Sequence, residues 1–232
     1  METLLWDFDG TLGSREGMWS GTLLSLLMKN GYTKFKLEDI RPFLNIGFSW
    51  DSPDSAHKDL FKGKTWWEYH ESYLSEVFQK IGISKKKAYE LSKEVKLEYM
   101  DSSKWFLFEN SKKILEEAHN KGYTNYILSN HIPELSEIIK NLGIYELFED
   151  VFCSAKIGWE KPNPHIYNYV IESLKIKKEK CIMIGDNYGA DIAGSLRAGI
   201  KAILVRKENI KNYKYYSKDL SDLFEVMKNI KG

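Results

Sequence analysis

The sequence has few cysteines, almost no net charge and no long apolar run. Its 232 residues include two cysteines, Cys153 and Cys181. We interpret both as small core side chains, because each falls in a predicted buried strand rather than in a spaced ligand pattern. The 34 Lys and Arg residues nearly balance the 33 Asp and Glu residues, which gives no reason to expect a nucleic-acid surface. No stretch approaches the roughly 18 uninterrupted apolar residues of a membrane helix, and the N-terminal residues do not resemble a signal peptide. We therefore expect a cytoplasmic protein that binds neither nucleic acid nor membranes.

The composition is otherwise that of a folded globular protein. Hydrophobic residues make up 43% of the chain and charged residues 29%, so the chain can bury a substantial core and is not generally disordered. The length suits one large domain, or one domain that carries a sizeable insertion.

From about residue 105 onwards, short apolar strands alternate with amphipathic helices. The predicted strands are residues 124–130, 150–154, 181–186 and 201–205. The predicted helices are residues 110–122, 133–143, 164–174, 189–199 and 218–230. This alternation implies a parallel sheet covered on both faces, and the opening strand "LLW" joins it. We predict an α/β fold with a doubly wound parallel sheet.

Between residues 16 and 100, apolar residues recur at helical spacing without a convincing strand. We predict helices at residues 18–31, 65–82 and 84–100, the last of them with Ser84 as its cap. The intervening segment "RPFLNIGFSWDSPDSAHKDLFKGK" is interpreted as a long loop or a few short helical turns. The predicted organisation is an α/β core of residues 1–13 and 101–232, with residues 14–100 as an inserted all-helical domain.

Polar side chains collect at the predicted strand ends, where open parallel sheets bind ligands. The first strand ends in Asp7 and Asp9, whose side chains project the same way while Phe8 turns into the core. Two adjacent carboxylates are costly unless a cation lies between them or one holds a proton. The polar residues at the other strand ends are Ser129, Asn130, Lys161, Asp186 and Asp191. This composition is expected for Mg²⁺ bound together with a phosphate.

Each of these groups also has a simpler structural explanation when taken alone. Asp9 and Gly10 can form an ordinary turn, Asp186 and Asn187 can cap a helix, and Lys161 can be a solvated loop lysine. Independent turns have no reason to fall at successive strand ends in this order. We therefore favour one shared site.

The chain resembles the haloacid dehalogenase (HAD) superfamily, in particular its phosphatase-like members that have a helical cap domain inserted after the first motif. Four segments resemble the four motifs of that family in the expected order, and the resemblance covers essentially the whole chain. They are "DFDGTL" at residues 7–12, "LSN" at 128–130, "KPNP" at 161–164 and "GDNYGAD" at 185–191.

The resemblance implies a role for each motif carboxylate. Asp7 is expected to be the nucleophile that forms an aspartyl-phosphate, and Asp9 the general acid and base. Dehalogenases of the superfamily lack a carboxylate at the position of Asp9, so phosphoryl transfer is favoured over dehalogenation. Asp186 is expected to bind Mg²⁺ with Asp7 and the backbone carbonyl of Asp9, while Asp191 holds a bound water or the loop.

The remaining motif residues are expected to bind the phosphate. Lys161 and Ser129 act beside the nucleophile, and Gly10, Thr11 and Asn130 bind phosphoryl oxygens through backbone or hydroxyl donors. Asn187 corresponds to a position that often orients the fourth motif. The sequence alone assigns no clear role to His131, which follows Asn130 directly.

Substrate choice is expected to come from the helical cap domain, closing over the site about hinges near residues 13–14 and 101–103. Arg41 is a candidate for binding an anionic substrate group. Five aromatic side chains either wall an apolar leaving group or pack within the core of this domain: Phe43, Phe48, Trp50, Trp66 and Trp67. We interpret His57 as a solvated loop histidine.

The leading hypothesis is a Mg²⁺-dependent phosphatase that acts on a small phosphorylated metabolite as a monomer or homodimer. A phosphomutase with the same core is the closest alternative in chemistry. A non-catalytic HAD-fold binding module is the alternative of a different class. The four intact groups Asp7, Asp9, Lys161 and Asp186 argue against the binding module, because a retired site has no reason to keep mutually repelling charges.

Overall fold

The computed structural model describes residues 2–209 and 211–231, and its chain divides into two compact units. One unit contains the residues up to Ser14 together with those from Phe106 onwards, and the other runs from Arg15 to Trp105. The sequence predicts the two boundaries after residue 13 and after residue 100. In the structure they fall after Ser14 and after Trp105, one and five residues later.

The strands are β1 (Thr3–Trp6), β2 (Gly13–Arg15), β3 (Trp105–Leu107), β4 (Thr124–Ser129), β5 (Asp150–Cys153), β6 (Cys181–Gly185), β7 (Lys201–Val205) and β8 (Tyr216–Ser217). The helices are α1 (Met18–Lys29), α2 (Leu37–Ile40), α3 (His57–Phe61), α4 (Trp66–Lys80), α5 (Lys85–Tyr99), α6 (Ser111–Asn120), α7 (Leu135–Asn141), α8 (Ser154–Ile157), α9 (Pro164–Leu174), α10 (Gly194–Arg197) and α11 (Leu223–Lys231). A π-helical segment, Tyr188–Ala193, leads directly into α10.

The first unit is built on a six-stranded sheet in the order β5-β4-β1-β6-β7-β8. Every pair of neighbouring strands in it is parallel. The predicted α/β fold with a parallel sheet is therefore confirmed. All four residues of the central strand β1 are buried, as expected where helices cover both faces of a sheet.

The register of the central strands brings their carboxyl ends to one edge. Trp6 lies opposite Ile127 of β4 and Ile184 of β6, so the residues that follow these three strands emerge side by side. The pairing continues one step further, because the amide of Asp7 donates to the carbonyl of Ile184 at 2.9 Å. This register brings the predicted site residues that follow these strands to one edge of the sheet.

The core against one face of the sheet is formed largely by α9 and the strands. Helix α9 buries four side chains, at residues 166, 167, 170 and 171, a spacing that forms a single apolar stripe. They pack in one cluster with Leu5, Leu128 and Met183, each fully buried. The cysteines are buried in β5 and β6 as predicted, and both are free thiols.

In the second unit, the three predicted long helices are confirmed as α1, α4 and α5. Helix α4 begins with a reciprocal cap: the amide of Glu68 donates to Oγ1 of Thr65 at 3.3 Å, and the amide of Thr65 donates to the Glu68 carboxylate at 2.7 Å. Ser84 does occupy the N-cap position of α5, but its side chain makes no capping hydrogen bond. That part of the prediction is wrong.

Other differences from the sequence prediction are local. The short strands β2 and β3, which pair in a separate two-stranded sheet, and β8 were not predicted, because two or three residues are too few to show an alternation. The helix predicted at 189–199 is π-helical in its first half, and the last helix begins at Leu223 rather than at 218. Within the described ranges, no helix is both long and apolar enough to cross a membrane.

Candidate active site

The turn after β1 presents Asp7 and Asp9 on one side and buries Phe8 on the other, as the alternation predicts. Asp7 is 6% exposed and Phe8 is fully buried. The carbonyl of Phe8 accepts from the amides of Thr11, Leu12 and Gly13. Phe8 therefore fixes the turn in two ways, through its buried side chain and through its carbonyl.

This turn uses donors that were predicted to bind phosphate. The amide of Gly10 donates to the carbonyl of Gly13 at 3.0 Å, and the amide of Thr11 donates to Phe8 at 3.2 Å. Both amides donate within the turn in this conformation, and their binding of phosphoryl oxygens stays a prediction. The Thr11 hydroxyl lies 3.4 Å from Oδ1 of Asp186 and contacts the site instead.

One oxygen of Asp7 receives two hydrogen bonds. The hydroxyl of Ser129, at the end of β4, donates to Oδ1 at 2.8 Å, and the Lys161 ammonium donates to the same oxygen at 2.8 Å. Charge-assisted bonds of this kind fix the orientation of a carboxylate. The two donors therefore hold Asp7 through Oδ1.

Lys161 is buried and fully bonded, so it is not the solvated loop lysine of the simpler explanation. It is 2% exposed, and its ammonium also donates to Oδ1 of Asp191 at 2.6 Å and to the carbonyl of Leu128 at 2.9 Å. These acceptors and Asp7 match the three donors of an ammonium group. Although burial lowers the pKa of Lys161, the carboxylates of Asp191 and Asp7 raise it more, and the net shift is upwards. The side chain stays charged.

Asn130 fixes the backbone of Lys161 through its side-chain amide. Its Nδ2 donates to the carbonyl of Lys161 at 2.8 Å, and its Oδ1 accepts from the amide of Lys161 at 2.7 Å. Both ends of the Asn130 amide are thus occupied. The side chain of Asn130 orients Lys161 from the neighbouring strand.

Asp191 lies in the π-helical segment and joins the fourth motif to Lys161. Its Oδ2 accepts from the amide of Asn187 at 2.9 Å, and Oδ1 of Asn187 in turn accepts from the amides of Gly189 and Ala190. Burial raises the pKa of Asp191 to about 7, while Lys161 at 2.6 Å opposes the shift. Asn187 caps this segment, in line with the orienting role implied for it.

Asp186 meets a cation that the sequence analysis missed. Nζ of Lys207 lies 2.7 Å from Oδ2 of Asp186, although the lysine side chain is 62% exposed. Lys207 follows β7. Looking for polar residues at the end of that strand, as was done for the other strands, would have found it. Burial and the neighbouring Asp7 raise the pKa of Asp186, and Lys207 lowers it.

Gly10 is the residue that lets Asp186 approach the turn. A Cβ at position 10 would lie 2.4 Å from Oδ2 of Asp186, and the φ of Gly10 is +82°. Both the space and the left-handed backbone require glycine here.

The carboxylates form a set that fits a hard divalent cation. Among the described residues, Asp7, Asp186 and Asp191 each offer an oxygen, and these three atoms lie within 4.8 Å of one another. Oxygen donors in this arrangement suit Mg²⁺. Asp191 is completely buried, and its two oxygens accept from Lys161 and from the amide of Asn187, so Asp7 and Asp186 are the more suitable ligands of the three.

Asp9 lies beside this set with an environment that favours its protonated form. Burial, Asp7 and Asp186 raise the pKa of Asp9 well above its usual range, and Lys161 opposes the shift. Its Oδ2 lies 3.4 Å from Nε2 of His131. A carboxyl whose pKa is raised in this way is suited to act as a general acid.

The candidate residues in the helical unit fall into two groups. Phe48, Trp66 and Trp67 are buried, which agrees with the core explanation. Arg41 and Phe43 are exposed and Trp50 is half-buried. Arg41 and Trp50 border a cavity of about 310 Å³.

The interpretation of His57 as a solvated histidine is wrong. The side chain is 5% exposed and stacks on Phe61, with ring centroids 4.5 Å apart. The residue begins the short helix α3, which the irregular composition of this segment did not predict.

Comparison with known proteins agrees with this arrangement. Residues 4–205 match the family described as haloacid dehalogenase-like hydrolase. The chain belongs to this family. The match extends from β1 to the end of β7 and therefore includes all four motifs of this HAD-like hydrolase.

Individual relatives are more distant. A glyceraldehyde 3-phosphate phosphatase from Methanothermobacter thermautotrophicus is 35% identical over 44% of this chain and 45% of its own length. The chain spans about half the length of the first curated relatives it matches. Pyrophosphatase PpaX from Bacillus mycoides is 25% identical over 100% of this chain and 99% of its own length.

Solved structures show the same fold. The HAD-hydrolase YfnB from Bacillus subtilis, described as bound to magnesium, has a TM-score of 0.74 at 20% identity and covers 97% of this chain and 98% of its own. At this identity, the likeness establishes that this HAD-like hydrolase shares the fold.

Proposed function

We propose that the protein is a Mg²⁺-dependent phosphatase that acts on a small phosphorylated metabolite through an aspartyl-phosphate on Asp7. The observation that carries the proposal is the convergence on Oδ1 of Asp7, which receives hydrogen bonds from Ser129 and Lys161 at 2.8 Å each. The helical unit, residues 15–105, is proposed to act as the cap domain that selects the substrate, with Arg41 as a candidate contact.

Two donors at a carboxylate are useful to a nucleophile that must approach an anion. Lys161 offsets the negative charge of Asp7, and Ser129 and Lys161 together fix its orientation toward phosphorus. An oxygen of Asp7 attacks phosphorus, and the bond from phosphorus to the leaving oxygen breaks. The leaving oxygen takes the proton of Asp9.

The same two carboxylates then complete the turnover. A water molecule gives a proton to Asp9 and attacks the phosphorus of the aspartyl-phosphate. The bond from phosphorus to the Asp7 oxygen breaks, inorganic phosphate leaves, and Asp7 returns to its carboxylate form. Asp9 is again protonated, so the cycle closes without another proton donor.

Asp7 and Asp186 are the residues that would hold Mg²⁺. A bound Mg²⁺ supplies positive charge that reduces the repulsion between the anionic nucleophile and the phosphate. The chain itself supplies the other charges: Lys161 lies between Asp7 and Asp191, at 2.8 and 2.6 Å. The magnesium reported with the Bacillus subtilis hydrolase supports this choice of metal.

The functions of two relatives also support the reaction class. One acts as a glyceraldehyde 3-phosphate phosphatase and the other as a pyrophosphatase, and both release a phosphoryl group from a small molecule. Asp9, the carboxylate that dehalogenases of the superfamily lack, supports a substrate whose leaving group needs a proton, such as the alkoxide of an alkyl phosphate.

The test is release of inorganic phosphate from a panel of alkyl phosphates and p-nitrophenyl phosphate, with Mg²⁺ and with EDTA. We expect turnover that requires Mg²⁺ and is abolished in Asp7→Asn. Asp219→Asn is the matched control, because Asp219 is exposed and its carboxylate caps the amide of Ser221 at 3.0 Å.

The outcomes separate the candidate functions. Isomerised sugar phosphate without net phosphate release would indicate a phosphomutase instead. Wild-type protein that turns over no ester would leave a binding module as the better explanation. Equal turnover in wild type and Asp7→Asn would contradict the role of Asp7.

A further inference from the structure

His131 is a buried histidine at the site that the proposed reaction does not use. Its residue is 2% exposed, and it follows directly on Ser129 and Asn130, which contact Asp7 and Lys161. The imidazole therefore stands at the same edge of the sheet as the reacting groups.

The backbone of His131 is hydrogen-bonded to the last residue of β5 and the first residue of α8. Its amide donates to Oγ of Ser154 at 3.1 Å. The thiol of Cys153 donates to the carbonyl of His131 at 3.1 Å. The ring also meets Phe8 edge to face, with centroids 5.9 Å apart. These contacts set the direction in which the side chain points.

The imidazole of His131 points towards the carboxyl of Asp9. Nε2 of His131 lies 3.4 Å from Oδ2 of Asp9. The other oxygen of Asp9, Oδ1, is buried, and within residues 2–209 and 211–231 it has no hydrogen-bond partner. Contacts at catalytic groups are often long without ligand and shorten when substrate binds.

We propose that His131 is a positioning residue that holds the carboxyl of Asp9 in the orientation from which its proton reaches the leaving-group oxygen. The inference rests on the proposed function and adds a residue outside the four motif segments.

The role predicts a loss of rate that depends on the leaving group. An alkoxide needs the proton of Asp9 to leave, whereas p-nitrophenolate is a stable anion that leaves without one. The ratio kcat/KM reports the steps up to formation of the aspartyl-phosphate, in which Asp9 acts as the acid. A merely structural defect would lower kcat/KM for both esters alike.

The experiment compares kcat/KM for p-nitrophenyl phosphate and for the best alkyl phosphate of the panel. His131→Phe keeps an aromatic ring beside Phe8 but removes the polar nitrogen. We expect it to lose about tenfold or more on the alkyl phosphate and no more than about threefold on the aryl ester. His131→Gln places an amide near the position of Nε2 and is expected to recover most of the alkyl rate. His119→Phe, at an exposed histidine of α6, is the matched control.

Two results would overturn the role of His131 while leaving the phosphatase intact: equal losses on both esters, or an unchanged alkyl rate in His131→Phe. Wild-type protein that hydrolyses no ester would overturn the proposed function and this role with it. If circular dichroism shows that His131→Phe does not fold, His131→Asn replaces it. Its amide is too short to reach Asp9, so the same selective loss is expected.

Discussion

The ammonium of Lys207 lies 2.7 Å from Oδ2 of Asp186, on the carboxylate best placed to hold Mg²⁺ together with Asp7. A lysine side chain and a divalent cation cannot both pair closely with the same oxygen. Lys207→Met is therefore expected to tighten Mg²⁺ binding. Exposed ion pairs contribute up to about 1 kcal/mol, so the gain should be up to about fivefold.

Isothermal titration calorimetry with Mg²⁺ measures this effect directly. Lys211→Met is the control, since Lys211 borders the same cavity as Asp186 and Lys207 but is not paired with Asp186 in the structure. A weaker or unchanged Mg²⁺ affinity in Lys207→Met, or an equal gain in Lys211→Met, would contradict the competition.

Lys161 is expected to stabilise the fold as well as the nucleophile. It is 2% exposed, and its removal in Lys161→Met leaves the carboxylates of Asp7 and Asp191 buried without their shared cation. Breaking a buried pair in this way costs about 3–5 kcal/mol. Urea denaturation without Mg²⁺ should show this loss of unfolding free energy.

The double variant Lys161→Met with Asp191→Asn is the control for that loss. It removes one of the two stranded charges and is expected to recover part of the unfolding free energy. A loss below about 1 kcal/mol in the single variant would mean that the ion pair contributes little net stability.

Gly10 and Gly31 separate the cost of backbone strain from the cost of crowding Asp186. Their φ angles are +82° and +83°, but a Cβ at Gly10 would lie 2.4 Å from Asp186, whereas nothing lies within 4 Å at Gly31. Gly31→Ala is expected to lose about 1 kcal/mol of stability through backbone strain alone, and Gly10→Ala is expected to lose more because of the added clash with Asp186. Only Gly10→Ala should also lose Mg²⁺ binding, measured by calorimetry. Equal Mg²⁺ affinity in the two variants would be evidence against the placement of Asp186.

His70 gives the helical unit a predictable response to acid. The ring is fully buried, with Nδ1 2.7 Å from the carbonyl of Trp66 and Nε2 accepting from the amide of Ser49 at 3.1 Å. Burial lowers its pKa from 6.5 to about 3. The unfolded chain binds the proton first, so the stabilisation is complete above pH 6.5 and is lost as the pH falls towards 3.

The expected loss is about 1.4 kcal/mol per pH unit within that window. Urea unfolding, followed by tryptophan fluorescence from pH 7 to pH 4, measures it. Five of the seven tryptophans report on this unit: Trp19, Trp50, Trp66, Trp67 and Trp105. His70→Gln, which does not titrate, should show a shallower dependence. Parallel curves for wild type and His70→Gln would show that another group dominates.

The sequence predicts the fold and the central site residues because both follow from one pattern. Short apolar strands that alternate with helices require a parallel sheet, and its carboxyl ends bring Asp7, Lys161 and Asp186 together. Lys207 was missed because no motif marks the end of β7. The use of the Gly10 amide within the turn depends on hydrogen bonding that residue order does not reveal.

The helical unit was predicted less completely. Its long helices carry a clear 3.6-residue period, but the segment of residues 41–64 has none. The burial of His57 there depends on Phe61 stacking against it, a contact that composition does not predict. The π-helical turn was missed because its apolar spacing resembles that of an α-helix, although it is what carries Asp191 to Lys161.

The most direct test of the account is to find the covalent intermediate. Turnover of p-nitrophenyl phosphate with Mg²⁺ is quenched rapidly, the acyl phosphate is reduced with borohydride, and peptide mass spectrometry locates the modified residue. The account predicts modification at Asp7 that depends on substrate and is absent in Asp7→Asn. Turnover without any modified carboxylate, or with the modification at Asp9 or Asp186, would contradict it.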